Sequence, residues 1–282
     1  MSGKSEYRTA TDGLPARVSG PWAEDKLDAL SRYSRIVLRA VKNKWKGLCY
    51  VDLLAGGGKC ILRGTNKEFD GSPLLAIECN DPAFTTVVLI ESDDRLCRAL
   101  RTRTAAASDR ATIIDGDCND ADVIRQVRRA VPTGALSIVF VDNLGLNVTF
   151  STISRIVAGR AMDLIVTFQV SDLKRNARLA LTNETEAGRW DRFFGTPDWR
   201  RVIADFEAKR IAAPDLGSAL ADFYAERLAK LGYNERGQMN RTMANTRGAP
   251  LYRVMLFSKH PLARKLFSVA SRGSQGGLNF DG

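Results

Sequence analysis

The sequence predicts an α/β protein built on a doubly wound, mostly parallel β-sheet, and two observations carry that expectation. Five apolar runs of strand length, 48–55, 85–92, 111–117, 136–143 and 162–169, are hydrophobic throughout rather than alternating, as strands covered by helices on both faces are. Between them lie segments with helical spacing: SPLLAIECN, DDRLCRALRTRT, NDADVIRQVRRAV and FSTISRIVAGR. Repeated strand–helix units close a parallel sheet through right-handed crossovers, and 282 residues suffice to bury its core.

Taken in order, residues 1–18 read as a flexible arm. Ser19-Gly20-Pro21 then opens an amphipathic helix, in which Trp22, Leu27, Leu30, Tyr33, Val37, Leu38 and Val41 recur at steps of three and four, with Pro and acids near its start. This helix and the five strands make a Rossmann-like core over 19–170. Residues 171–235 read as a helical insertion. In 236–270, QMNRTMAN and LYRVMLFS flank Thr246-Arg247-Gly248-Ala249-Pro250 as a β-hairpin, followed by a helix, and together they complete the sheet. The Gly-rich segment 271–282 reads as a flexible tail.

No stretch approaches the ~18 to 20 apolar residues of a membrane helix, so no membrane partner is expected. The polar start lacks an apolar leader core, which points to the cytoplasm. Five cysteines without a C-x-x-C pair and a single histidine, His260, give no support to zinc, iron–sulfur or disulfide frameworks. The formal net charge of +10 is concentrated at the ends. Residues 1–47 hold ten Lys/Arg against five Asp/Glu, and residues 236–282 eight against one. Basic segments attract polyanions, chiefly nucleic acid, through phosphate neutralisation. The expected contributors are Arg35, Arg39, Lys42, Lys259, Arg264 and Lys265. Two solvated faces account for the same charge equally well.

An open parallel sheet binds its ligand beyond the carboxyl ends of its strands. The first strand ends in Asp52-Leu53-Leu54-Ala55-Gly56-Gly57-Gly58. This is not the dinucleotide fingerprint, because Ile61 stands where its last glycine belongs, nor a P-loop, because Cys60 follows Gly58-Lys59. Glu91, with Ser92 and Asp93 beyond it, ends the second strand and suits the hydroxyls of a ribose. Asp117, followed by Cys118, ends the third, and Asp142-Asn143 ends the fourth. One such acid is ordinary turn or capping chemistry; four in succession point to a site.

This pattern resembles the class I S-adenosylmethionine (SAM)-dependent methyltransferases. More closely, the chain resembles the three-Cys-motif partner (TcmP) family through Trp22 to Tyr33, YVDLLAGGG, GSPL at 71–74, IES at 90–92, GDCN at 116–119, VDNLG at 141–145, FFGT at 193–196 with Trp199, and LYRVMLFSKHPLARKLF at 251–267. The resemblance implies a class I methyltransferase type of sheet and SAM as cofactor. Its site would be Asp52, Ala55, Gly56, Gly57, Gly58, Glu91, Ser92, Asp117 and Cys118. It also implies a phage-associated three-Cys-motif, radical-SAM-like partner protein. Two departures stand out: Asp142-Asn143-Leu144-Gly145 where the family has Asp-Pro-x-Gly, and Gly56-Gly57-Gly58 where it has Gly-Pro-Gly.

Methyl transfer needs an aligned nucleophile and a proton acceptor, so positioning dominates. Asp142, with Asn143, is the candidate catalytic contact. Lys174, Arg175 and Arg178 follow the fifth strand near the expected cleft mouth and are candidates for an anionic substrate, nucleic acid in particular. Lys259 and His260 join them, His260 by the family resemblance. The alternative is a catalytically inactive scaffold on the same fold that binds nucleic acid or a partner protein.

Overall fold

The computed structural model describes residues 6–143, 145–239, 243–244 and 250–272. The segment expected as an arm is structured where it is described: β1 (Tyr7–Thr9) pairs antiparallel with β2 (Pro15–Ser19). In β2, Ala16 and Val18 point inward and Arg17 lies between them. That two-residue period is too short to stand out in a polar segment. Helix α1 (Trp22–Val41) follows, burying the stripe of Leu27, Leu30, Tyr33, Val37, Leu38 and Val41. After β3 (Leu48–Asp52) come β4 (Lys59–Leu62) and β5 (Glu68–Asp70), two strands not foreseen. β4 lies parallel to β2 and antiparallel to β5, so the chain start and the loop after β3 build a small sheet in the order β1-β2-β4-β5.

The main sheet grows through α2 (Ser72–Ile77), β6 (Thr86–Glu91), α3 (Asp94–Thr104), β7 (Ala111–Asp115), α4 (Ala121–Ala130), β8 (Leu136–Val141), α5 (Phe150–Val157) and β9 (Ala161–Phe168). Four further helices, α6 (Val170–Thr182), α7 (Glu184–Phe194), α8 (Arg200–Glu207) and α9 (Leu216–Ala229), precede β10 (Glu235–Gln238), β11 (Met243–Ala244), β12 (Pro250–Ser258) and α10 (Pro261–Ser271). The strand order is β10-β12-β9-β8-β3-β6-β7, with β11 beside β12. β9, β8, β3, β6 and β7 are parallel, and β12 runs antiparallel between β9 and β10. This is the Rossmann-like, doubly wound, mostly parallel sheet that the apolar runs predict. Strand order reverses between β3 and β8, which makes that gap the switch point. Of the expected hairpin, β11 lies within QMNRTMAN and pairs antiparallel with β12, while a further strand, β10, begins earlier, at Glu235. The hairpin's turn at 246–249 and the tail beyond 272 lie outside the described residues.

Each central strand divides its side chains between two cores. Val51, Val88, Val139 and Leu164 pack with α4, α5 and the aromatic group Phe168, Trp190, Phe193, Trp199 and Tyr224. Tyr50, Val87, Ile138 and Ile165 pack on the other face with α1 and α10. With both faces covered, only the strand ends can meet a ligand.

Candidate functional site

At the end of β3, Asp52 is fully buried, and its carboxylate accepts hydrogen bonds from the Tyr50 hydroxyl (3.1 Å) and the Leu54 amide (3.2 Å). Burial pushes its carboxyl up to about 6, against the pull of those hydrogen bonds. The loop then turns through Gly56 (φ +66°) and Gly58 (φ +91°), conformations natural to glycine, and a side chain at Gly56 would face open space. The Gly56 amide donates to Glu91 Oε2 (2.8 Å), while Glu91 Oε1 accepts from the Ser92 (2.8 Å) and Asp93 (2.9 Å) amides. One half-exposed carboxylate thus ties the loops after β3 and β6 together.

A residue without any sequence signal completes this corner. Arg103, on the last turn of α3, is 4% exposed. It donates to the backbone carbonyls of Gly57, Pro15 and Leu14 and to both Asp12 oxygens (2.8 and 2.9 Å). This guanidinium holds the Asp12 carboxyl well below the usual carboxylate range. It thereby staples the small sheet to the glycine turn.

After β7, Asp117 is exposed and accepts from the Asn119 backbone amide (2.9 Å) and side-chain amide (2.8 Å). Asn119 also accepts from the Thr149 amide (2.9 Å) and the Thr152 hydroxyl (2.7 Å), binding the loop after β7 to the one after β8. Cys118 is buried, and burial pushes its thiol up to about 12, which leaves it unreactive.

Asp142 follows β8. Its Oδ2 lies 2.6 Å from Lys26 Nζ and 4.0 Å from an Arg17 guanidinium nitrogen, while its buried Oδ1 has no hydrogen-bond partner. Burial alone would raise this carboxyl; the two cations outweigh it and hold it below its ordinary value. Asn143 is buried beside it, and its Oδ1 accepts from the Asn147 (2.6 Å) and Val148 (3.2 Å) amides. Its side chain closes the loop after β8, ordinary work for an Asn in a turn.

Two cavities open here. The smaller, about 150 Å³, lies between the small sheet and the glycine turn and is lined by Ala55 to Gly58, Lys26, Arg63, Asp142 and Trp22. The Trp22 ring stacks on Tyr252 at 5.7 Å and covers Gly20, where a β-carbon would overlap it. The larger cleft, about 590 Å³, is bounded by the loop after β8, the end of β9, α6 and α7. Arg17 and Val18 of β2 and Arg63, just beyond β4, line both. Asp52, Glu91, Ser92, Asp117 and Cys118 line neither. Of the basic candidates on α6, Arg175 lines the large cleft, paired with Asp172, whereas Lys174 and Arg178 are exposed outside it.

Lys259 and His260 correct the sequence reading. Because β12 is antiparallel to β9, with Phe257 opposite Leu164 and Arg253 opposite Phe168, its end lies at the sheet edge away from Asp142. His260 accepts from the Leu262 amide (3.1 Å) as the N-cap of α10, and Lys259 lies over the Tyr233 ring. Arg39 is likewise remote. Thirteen residues along α1 from Lys26, or about 20 Å at the helical rise, it donates to the Asp81 carbonyl. Among the described residues no cluster of His, Cys, Asp and Glu is suited to a metal ion, and no helix is long and apolar enough to cross a membrane.

No family model matches the chain, and no curated protein matches it. Solved structures of similar fold include protein LPL1258 from Legionella pneumophila, at 10% identity over 85% of this chain and 89% of that one, with a TM-score of 0.48. An O-methyltransferase from Bacillus cereus in complex with SAH is 13% identical over 88% and 86%, with a TM-score of 0.45. TYW2 from M. jannaschii in complex with AdoMet is 11% identical over 91% and 87%, with a TM-score of 0.39. Likenesses of this size assign no substrate, so the chemistry is read from the site itself.

Proposed function

We propose that this chain is a SAM-dependent methyltransferase, with the cofactor at the carboxyl ends of β3, β6 and β7. The observation that carries the reading is the Glu91 carboxylate. Anchored by three backbone amides beside the switch point and still half-exposed, it is set to accept the two hydroxyls of a ribose. The residues fit such a group: the open side of Gly56 leaves room, and Arg17 and Lys26 in the small cavity offer cations to a carboxylate. Glu91 and Ser92 would hold the ribose, Asp117 and the Cys118 segment the adenine edge, and Ala55 to Gly58 the amino-acid end. The cofactor, when bound, supplies an electrophilic methyl group.

The chain itself positions the acceptor and removes a proton. Lys26 keeps Asp142 ionised despite its burial, and the partnerless Oδ1 is the atom free to accept a hydrogen bond from the acceptor's N–H or O–H. Asn143 acts one step removed, fixing the loop that carries Asp142. The finer reading, an acceptor within nucleic acid and a three-Cys-motif partner protein, rests on the sequence resemblance and the net charge of +10. A scaffold without turnover draws its support from Lys26, which occupies Asp142 Oδ2.

Calorimetry with SAM and S-adenosylhomocysteine, followed by transfer of a labelled methyl group to candidate acceptors, tests the reading. Wild type should bind both cofactor forms in the micromolar range and transfer the label. Absence of binding to the folded protein overturns the cofactor assignment, while binding without transfer to any acceptor selects the scaffold.

A further inference from the structure

Several polar groups that line the large cleft have no hydrogen-bond partner, a fully buried one among them. Trp190 is 0% exposed and its indole Nε1 has no hydrogen-bond partner. The Thr167 hydroxyl, 1% exposed, lines the same cleft and faces the Asp142 carboxylate. Gln169, the N-cap of α6, and Asn176, seven residues on, are half-exposed on the cleft wall, and neither side-chain amide is engaged among the described residues. A buried donor is normally satisfied, so the orphaned Trp190 N–H, with two unengaged amides on the same cleft wall, points to a ligand rather than packing. Cations add to it. Arg175 and Arg189 are neutralised by Asp172 and Glu186, whereas the Arg63 side chain makes no ion pair among the described residues and stands with Arg17 where the two cavities meet.

We infer that this cleft binds one nucleotide, its base read by Gln169, Asn176 and the Trp190 N–H, and its phosphate held by Arg63 and Arg17. Amide side chains present a donor and an acceptor side by side, the pattern that matches the edge of a nucleobase, and guanidinium groups match phosphate oxygens. An apolar aromatic acceptor would leave those polar groups unpaired. A sugar phosphate would use the arginines but only part of the amide set. The identity of the nucleotide as methyl acceptor rests on the methyltransferase reading; its binding does not.

The test is calorimetric titration of the full chain with the four nucleoside monophosphates, the matching nucleosides, ribose 5-phosphate and a short single-stranded oligonucleotide, with S-adenosylhomocysteine titrated separately. At least one monophosphate should bind, with its nucleoside and ribose 5-phosphate each tenfold or more weaker. Asn176→Asp and Gln169→Glu, which keep side-chain shape but remove the donor, should weaken the nucleotide about tenfold and leave S-adenosylhomocysteine unchanged. Arg63→Ala should weaken the monophosphate and not the nucleoside. Tighter binding of the oligonucleotide than of any monophosphate identifies a strand as the source; the reverse identifies a free nucleotide. Ribose 5-phosphate binding as well as the best nucleotide, or indifference of nucleotide affinity to both amide variants, overturns the inference. If S-adenosylhomocysteine binds and no nucleotide does, this inference fails and the cofactor reading stands. The opposite pattern removes the cofactor reading alone.

Discussion

Lys26 Nζ sits 2.6 Å from Asp142 Oδ2, joining the second turn of α1 to the end of β8 with both side chains nearly closed off from water. A cation supplied from outside the strand ends therefore sets the charge state of the acid at the centre of the site. Removing one partner of such a pair strands the other, at a cost of about 3–5 kcal/mol. Lys26→Met should lose stability on that scale, moderated by Arg17 at 4.0 Å, while Lys26→Met with Asp142→Leu should recover most of it. Urea denaturation of the two variants checks both outcomes.

The same pairing separates chemistry from cofactor affinity. Asp142→Ala should bind S-adenosylhomocysteine with wild-type affinity and transfer no methyl group. Parallel loss of both in a folded variant would make Asp142 a cofactor ligand.

Asp52 gives a pH signature of fixed sign. Its folded value of about 6 lies above the ordinary 3.8, so the folded chain holds this proton more tightly than the unfolded one. Its contribution to stability then declines as pH rises from about 4 to 6, and a penalty of about 3 kcal/mol stands above that window. Asp52→Asn should gain stability at pH 7 relative to wild type. The difference between the two, followed by denaturation from pH 4 to 7, should grow with pH and level off above 6.

For Glu91, truncation frees three backbone amides and removes the acceptor proposed for the ribose. Glu91→Ala should weaken cofactor binding by about 1–3 kcal/mol, roughly fivefold to 150-fold. Unchanged affinity by calorimetry would show that the carboxylate only closes the loop.

Arg103 is expected to act on both stability and ligand. Arg103→Ala leaves buried carbonyls of Gly57 and Pro15 and the Asp12 carboxylate unpaired, a loss of about 2–4 kcal/mol for charged hydrogen bonds of this kind. Arg103→Lys should recover only part, because an ammonium cannot span the same fork. Thermal melts with and without S-adenosylhomocysteine distinguish a weakened fold from a loosened glycine turn.

The main sheet was legible because its strands are buried on both faces, and that burial writes itself into the sequence as unbroken apolar runs such as TVVLIE. The small sheet was not. β1, β4 and β5 are three or four residues long and mostly half-exposed, so no run or alternation announces them. The strand-end acids stood out as a series, and their positions followed from the strands. Their partners did not, because Lys26 and Arg103 reach Asp142 and the glycine turn across 116 and 46 residues of sequence. Lys259 and His260 were misplaced for a topological reason: a strand's direction is invisible in its composition, and β12 alone reverses among the long strands.

The stack of Trp22 on Tyr252 makes the small cavity self-reporting. An indole that lines the cavity wall and is held by a ring contact on one side and Gly20 on the other changes its emission when a ligand displaces solvent from that wall. Trp190 lines the large cleft from a fully buried position, packed on Trp199 at 4.8 Å. Of the four tryptophans these two line the adjoining compartments, so the differences between wild type, Trp22→Phe and Trp190→Phe in stopped-flow fluorescence follow the order in which the compartments fill.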